Sequence, residues 1–144
     1  MPVSDAADLG ANPAALAVLA REIAAIARTT GDYATAIPAL SLHRRHAAAD
    51  PMPCIYGLGL AVVAQGGKQV LLGDAVFNYG PGSALLTTLD LPVVSNVTLA
   101  TPATPFLGLL LNIDARTIAQ LAAQMDLGAA GVPPPRPRDG AAPA

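Results

Sequence analysis

Turn signals recur at short, nearly even intervals through the middle of this chain: Gln65-Gly66-Gly67-Lys68, Leu72-Gly73-Asp74, Tyr79-Gly80-Pro81-Gly82 and Asp90-Leu91-Pro92-Val93. Glycine accepts the positive φ of tight turns, and proline presets φ at their first central position. Only short strands fit between such turns, so the region reads as an all-β barrel or sandwich. With 144 residues the chain suits one domain with a real core. Aromatic residues make up only 3% of it, so that core must be built from Leu, Val and Ile.

The flanks read differently. Residues 1–11 are expected to be flexible. Asn12-Pro13 opens a helix with an N-cap side chain and proline in the first turn. Leu16, Leu19, Ile23 and Ile26 place one apolar stripe on that helix, which ends near Arg28. It docks on its own domain or, in a sharper alternative, on a partner subunit. From Ile37 the period becomes two. Leu40, Leu42, Arg44 and His46 share one strand face; Ser41, His43 and Arg45 share the other. The company of Leu40 and Leu42 predicts that Arg44 faces inward, toward a barrel mouth.

Asp50-Pro51-Met52-Pro53 is expected as a loop, and residues 55–64 as one strand buried on both sides. Gly66-Gly67 predicts a two-residue hairpin from which Lys68–Leu72 returns antiparallel. After the Gly73-Asp74 turn, Ala75, Phe77 and Tyr79 face one way, Val76 and Asn78 the other. Residues 84–89 follow the next turn. Val93, Val97 and Leu99 mark one face of a further strand, Thr101–Pro105 forms a rigid connection, and residues 106–113 form the last strand. Asp114 caps a second helix carrying Ile118, Leu121, Ala122 and Met125, with Gly128 as its stop. The folded domain spans 12–128, and 129–144 is expected to be a disordered tail or linker stub.

Several function classes lack their residues. The net charge of −2 gives no general attraction to nucleic acid or to an anionic membrane. No run approaches the roughly 20 apolar residues of a membrane helix. Asp5 and Asp8 make the start unlike a secretory signal. Cys54, the single cysteine, excludes an internal disulfide and fits a reducing compartment. A cytoplasmic, soluble protein is expected. Gly66-Gly67-Lys68 lacks the spacing of a phosphate loop, and no serine or cysteine sits in a nucleophile elbow. Asp74 and Asp90 suit strand ends better than acid–base chemistry.

The words Ile37-Pro38-Ala39-Leu40-Ser41-Leu42-His43-Arg44, Ala64-Gln65-Gly66-Gly67-Lys68, Leu72-Gly73-Asp74 and Phe77-Asn78-Tyr79 occur in that order. Asp90-Leu91-Pro92-Val93, Ala100-Thr101-Pro102, Pro105-Phe106 and Leu111-Asn112-Ile113-Asp114 follow. Together, from about Ile37 to Leu121, they resemble the N-terminal domain of AraC-type bacterial transcription regulators. The resemblance implies a mainly β, cupin-like antiparallel barrel or sandwich with an N-terminal and a C-terminal helix. It implies binding of a small-molecule effector and homodimerisation, with no cofactor, and with DNA binding left to a following region of two helix-turn-helix units. Two departures stand out: Gly57 where the family tends to show proline, and Gly80-Pro81-Gly82-Ser83 in place of a more acidic turn.

A cupin-like fold also admits a small metal enzyme, an isomerase or dioxygenase. Such cupins hold metal with a His-x-His pair and a later histidine. His43 and His46 are three residues apart, so a regular strand points them to opposite faces. Leu85 stands at the position resembling the later histidine. No metal and no enzyme activity are expected. A third reading is a structural pairing domain whose interior is filled by its own side chains.

The candidate ligand residues are Arg44, Tyr56, Gln65, Lys68 and Tyr79. Arg44 either orients an anionic or polar effector or pairs with Asp74 or Asp90. Gln65 and Lys68 either reach a ligand or flank a solvated turn, with Gln65 bonded to backbone. Tyr56 and Tyr79 suit a pocket wall or a core. His43 and His46 can titrate near neutral pH. Ile118, Leu121 and Met125 either pack on the barrel or form the dimer interface.

Overall fold

The structure is a computed structural model describing residues 7–8, 12–88 and 90–125. Its strands are β1 (Ala7–Asp8), β2 (Gly31–Ala34), β3 (Leu40–Arg45), β4 (Met52–Tyr56) and β5 (Gly59–Gln65). They continue as β6 (Gly67–Leu72), β7 (Ala75–Tyr79), β8 (Ser83–Thr87), β9 (Leu91–Leu99) and β10 (Phe106–Asn112). Helix α1 (Pro13–Ile26) lies between β1 and β2, and α2 (Ala115–Gln124) follows β10. The strands form two antiparallel sheets, one ordered β1-β8-β5-β10-β3-β2 and one β4-β9-β6-β7. The expected mainly β fold with two helices is therefore present, as an open sandwich. Part of the segment read as a flexible start, Ala7–Asp8, pairs with Ala84 and Ser83. Gly128 and residues 129–144 lie outside the described residues.

Val63, Val70, Tyr79, Leu85, Val93, Val97 and Phe106 form the core cluster between the sheets. The outer face of the larger sheet is covered by α1. Ala20, Ile23 and Ala27 pack there on Leu42, Ala64 and Leu107. Asn12 Oδ1 accepts the Ala14 N–H at 2.8 Å, so the predicted cap opens α1. The buried stripe is not quite the predicted one, because Ile26 is 54% exposed. The seam runs through two alanines instead, whose small side chains let the helix backbone approach the sheet.

Two predicted connections are corrected. Residues 55–64 are not one strand, because the chain crosses between sheets at Gly57-Leu58. The backbone groups freed there find other partners: the Thr87 hydroxyl donates to the Gly57 carbonyl, and the Ile113 N–H to the Leu58 carbonyl at 3.0 Å. The loop before this strand is also shorter than expected, since Met52 and Pro53 pair with Ser95 and Val94. The second correction is Gly66, which does not close a hairpin. It is a corner at which β5 leaves one sheet and β6 enters the other, pairing with β7 and β9. Its φ is +87°. A Cβ there would lie 2.6 Å from the Leu99 carbonyl oxygen and 2.9 Å from Phe106 Cα.

Other turns form as read. Gly73-Asp74 joins Leu72 to its partner Ala75. At Gly80-Pro81-Gly82 the Ser83 N–H donates to the Gly80 carbonyl at 3.0 Å. Tyr79 is buried and Val76 and Asn78 are exposed, as the alternation of β7 requires.

The chain divides into two units, Met1–Ile113 and Asp114–Ala144. In the second, Asp114 Oδ1 accepts the Arg116 N–H at 3.0 Å and caps α2. Ile118 and Leu121 follow at helical spacing, with Met125 as the C-cap residue. No helix among the described residues is long and apolar enough to cross a membrane.

Candidate functional site

Between the sheets lies a cavity of about 430 Å³. Strand alternation decides what reaches it. On β6, Lys68 shares its face with Val70, a residue of the core between the sheets, so its stem points inward. Its Nζ lies 5.4 Å from the centre of the Tyr56 ring. Tyr79, opposite Lys68 in the β6–β7 register, lines the same wall with Cys54 and Ser95. The Cys54 thiol and Ser95 hydroxyl are 3.2 Å apart. Burial, together with the neighbouring Tyr56 and Cys54, pushes the Tyr79 phenol well above its ordinary value, so it stays a neutral hydroxyl. The Tyr56 hydroxyl is buried without a hydrogen-bond partner. Val63, Leu85, Val97 and Phe106 supply apolar wall.

Of the five candidate ligand residues, Tyr56, Lys68 and Tyr79 line this cavity and Arg44 and Gln65 do not. The inward reading of Arg44 is corrected. Its face of β3 is the one beneath α1, where Nη1 donates to the Ala27 carbonyl at 2.9 Å and Nε donates to His46 Nε2 at 3.0 Å. Leu42 is apolar company for a helix, not for a cavity. Arg44 thus satisfies an orphan carbonyl at the end of α1, where a cation also complements the helix dipole. It pairs with neither Asp74 nor Asp90 among the described residues. Gln65 bonds to backbone, as its alternative had it: Nε2 donates to the Pro105 carbonyl at 2.8 Å.

The opposite face of β3 brings in residues beyond the five ligand candidates. His43 and Arg45 line the cavity together with Asp32 from the neighbouring strand. Asp32 lies directly across from His43. Its Oδ1 accepts from His43 Nδ1 at 2.7 Å and from Arg45 Nη2 at 2.7 Å. Arg45 Nη1 also donates to the Gly31 and Arg44 carbonyls. Sequence alternation had already placed Ser41, His43 and Arg45 on one face; the error lay in which face met the cavity.

A family model for the N-terminus of AraC-type transcriptional regulators matches residues 36–143. The chain belongs to this family. None of the curated proteins matches it. Among solved structures it is similar to an ethanolamine utilization protein Q of Salmonella typhimurium LT2. The identity is 13% and the TM-score 0.39, over 56% of this chain and 63% of that one. It is also similar to a variant salicylate 1,2-dioxygenase of Pseudoaminobacter salicylatoxidans in complex with gentisate. There the identity is 12% and the TM-score 0.41, over 81% of this chain and 35% of that one. A third is a cupin 2 domain-containing protein of Halorhodospira halophila, at 15% identity and TM-score 0.33, over 75% and 86% of the two chains. The chain spans less than two thirds of the first two proteins.

In this AraC-type N-terminal domain the histidines diverge as their spacing requires. His43 turns toward Asp32, and His46 accepts from Arg44. Among the described residues no three of His, Cys, Asp and Glu are grouped to hold a metal ion. Ser41 Oγ lies 3.1 Å from His43 Nε2, which completes a serine–histidine–aspartate row. Hydrolysis by such a row also needs free N–H groups for the developing oxyanion. Ser41 pairs with Leu110 on one side and Ala34 on the other, so the backbone around it is committed to the sheet. The row is a polar strut across β2 and β3.

That strut has a pH signature. Burial pushes the Asp32 carboxyl up, but hydrogen bonds from His43 and Arg45 and their charge outweigh it and hold it below its ordinary 3.8. A carboxyl depressed in the folded state stabilises above its unfolded pKa, and that stabilisation is lost as pH falls through the folded value. Asp32→Asn is therefore expected to lower the Tm at neutral pH. The deficit should close as pH drops well below 3.8. Asp32 is 60% exposed on its side chain, so the effect stays under about 1 kcal/mol. Thermal melts of both proteins across that range check it, and a deficit that persists in acid would assign it to shape, not charge.

Proposed function

We propose that this domain is the sensing and pairing part of a transcription regulator. It takes a small effector into the cavity between its sheets and holds two copies of the chain together, while DNA is bound elsewhere in the regulator. The observation that carries the sensing half is the cavity itself. Its volume of about 430 Å³ lies in the range of small-molecule sites, roughly 300–1,000 Å³. It joins apolar wall to a few polar groups, as such sites do. A solid structural interior would leave no such space. The pairing half rests on the family and on the apolar spacing of Ile118, Leu121 and Met125 at α2.

The sensing half is tested with a neutral fluorescent probe, 1-aminoanthracene. Ala61 lines the cavity, so Ala61→Phe, or the milder Ala61→Leu, should fill it and abolish the fluorescence gain seen with the native chain. Equal gain in native and filled proteins would remove the cavity from the proposal. Light scattering after size exclusion tests the pairing half. A dimer is expected, returned to monomer by Leu121→Asp; a monomer at every concentration would end it. Stoichiometric transition metal in protein purified without a histidine tag would replace the whole reading with a metal enzyme.

A further inference from the structure

One charge in the cavity has no counterpart. Asp32, the acidic residue of the lining, is held by both His43 and Arg45. Arg45 is in turn spent on Asp32 and two backbone carbonyls. Lys68 remains. Among the described residues no carboxylate forms an ion pair with it, and its nearest aromatic partner is the Tyr56 ring, 5.4 Å from Nζ to the centre. A half-buried, inward-facing ammonium without a counter-charge is an unusual thing to place beside Val63, Leu85 and Phe106. The Tyr56 hydroxyl beside it is buried without a partner in hydrogen-bond geometry, with the Tyr79 hydroxyl as its neighbour. Two donors, one cationic and one neutral, thus stand on one wall of the cavity, with the apolar Val63, Leu85 and Phe106 also in its lining.

We infer that the cavity takes a small organic carboxylate. One carboxylate oxygen sits on Lys68 Nζ, the Tyr56 hydroxyl donates to the group, and an apolar body lies against Val63, Leu85 and Phe106. This rests on the reading of the cavity as an effector site and names the chemistry of that effector. A compact ammonium serves an anion as a point charge, and a phenol adds direction. A neutral isostere of the same shape would leave the ammonium uncompensated and would bind more weakly.

The test uses matched pairs on the full chain by isothermal titration: benzoate against benzamide, and 4-methylpentanoate against 4-methylpentanamide. The carboxylates are expected to bind at least about tenfold more tightly than the amides. Lys68→Met keeps the stem and removes the charge, so it should erase that preference by weakening carboxylate binding. Lys68→Arg should retain most of it, which guards against a variant that merely misfolds. Equal affinity for acid and amide, or full carboxylate affinity in Lys68→Met, overturns the inference. If 1-aminoanthracene enters the native cavity and is excluded by Ala61→Phe, yet neither carboxylate displaces it, the cavity stands and the carboxylate falls. If the filled protein behaves like the native one, both fall together.

Discussion

Gly66→Ala should destabilise the domain by roughly 2–6 kcal/mol, combining a positive-φ strain with an overpacked contact. The methyl group would meet the Leu99 carbonyl oxygen at 2.6 Å and Phe106 Cα at 2.9 Å. Both are backbone atoms of strand ends, so neither can swing aside as a flexible side chain would. Against a usual total of about 5–15 kcal/mol, much of the fold's margin would be gone. Gly73→Ala is the control. Its φ is also positive, at +55°, but nothing lies within 4 Å of the added Cβ. It should show the strain alone, about 1–2 kcal/mol. Urea unfolding of the three proteins separates the two contributions. If the two variants are equally stable, the corner is not tightly packed and the sheet switch does not depend on it.

Ile23→Ala should cost about 2–5 kcal/mol. Ile23 is 2% exposed and lies at the centre of the contact between α1 and the larger sheet. Its neighbours in that seam, Ala20 and Ala27, have little side chain with which to refill the space. Ile26→Ala, three residues on, should stay within about 0.5 kcal/mol, because Ile26 faces solvent. Denaturant midpoints of the pair decide which stripe of the helix is buried. Equal losses would return Ile26 to the seam, where its spacing first placed it.

These cases show what local sequence carried. A turn between strands that pair with each other, such as Gly73-Asp74 between β6 and β7, is specified within a few residues and was legible. Gly66-Gly67 offers the same residue types, but the strands on either side join different sheets. That choice is made by β9 and β10, dozens of residues away, and no local pattern announces it. The cavity was half legible for a related reason. Tyr56 and Tyr79 stood out through their amphipathic side chains, which suit a wall or a core, and Lys68 only as one alternative beside a turn. β3 is covered on one face by α1 and on the other by the second sheet. Leu40 and Leu42 mark only an apolar face, and either covering satisfies it. Nothing local to β3 marks the polar residues His43 and Arg45 as the ones that line the cavity, because that depends on where α1 docks.

The position of β10 has a consequence for the order in which the molecule can be assembled. It lies between β5 and β3 in the larger sheet, yet among the described residues it is the last strand to be synthesised. Arg45 waits about 60 residues for its partner Phe106, roughly 3–12 s at ribosomal rates of about 5–20 residues per second. Until then the sheet exists as two unconnected halves, β2–β3 and β5–β8, each with an unpaired inner edge. Leu107 is also missing from the surface on which α1 docks, so α1 cannot be fully seated until β10 arrives. Nascent chains stalled before β10 are therefore expected to expose apolar strand edges and to depend on a holding chaperone, a vulnerability that ends with the addition of a single strand of seven residues.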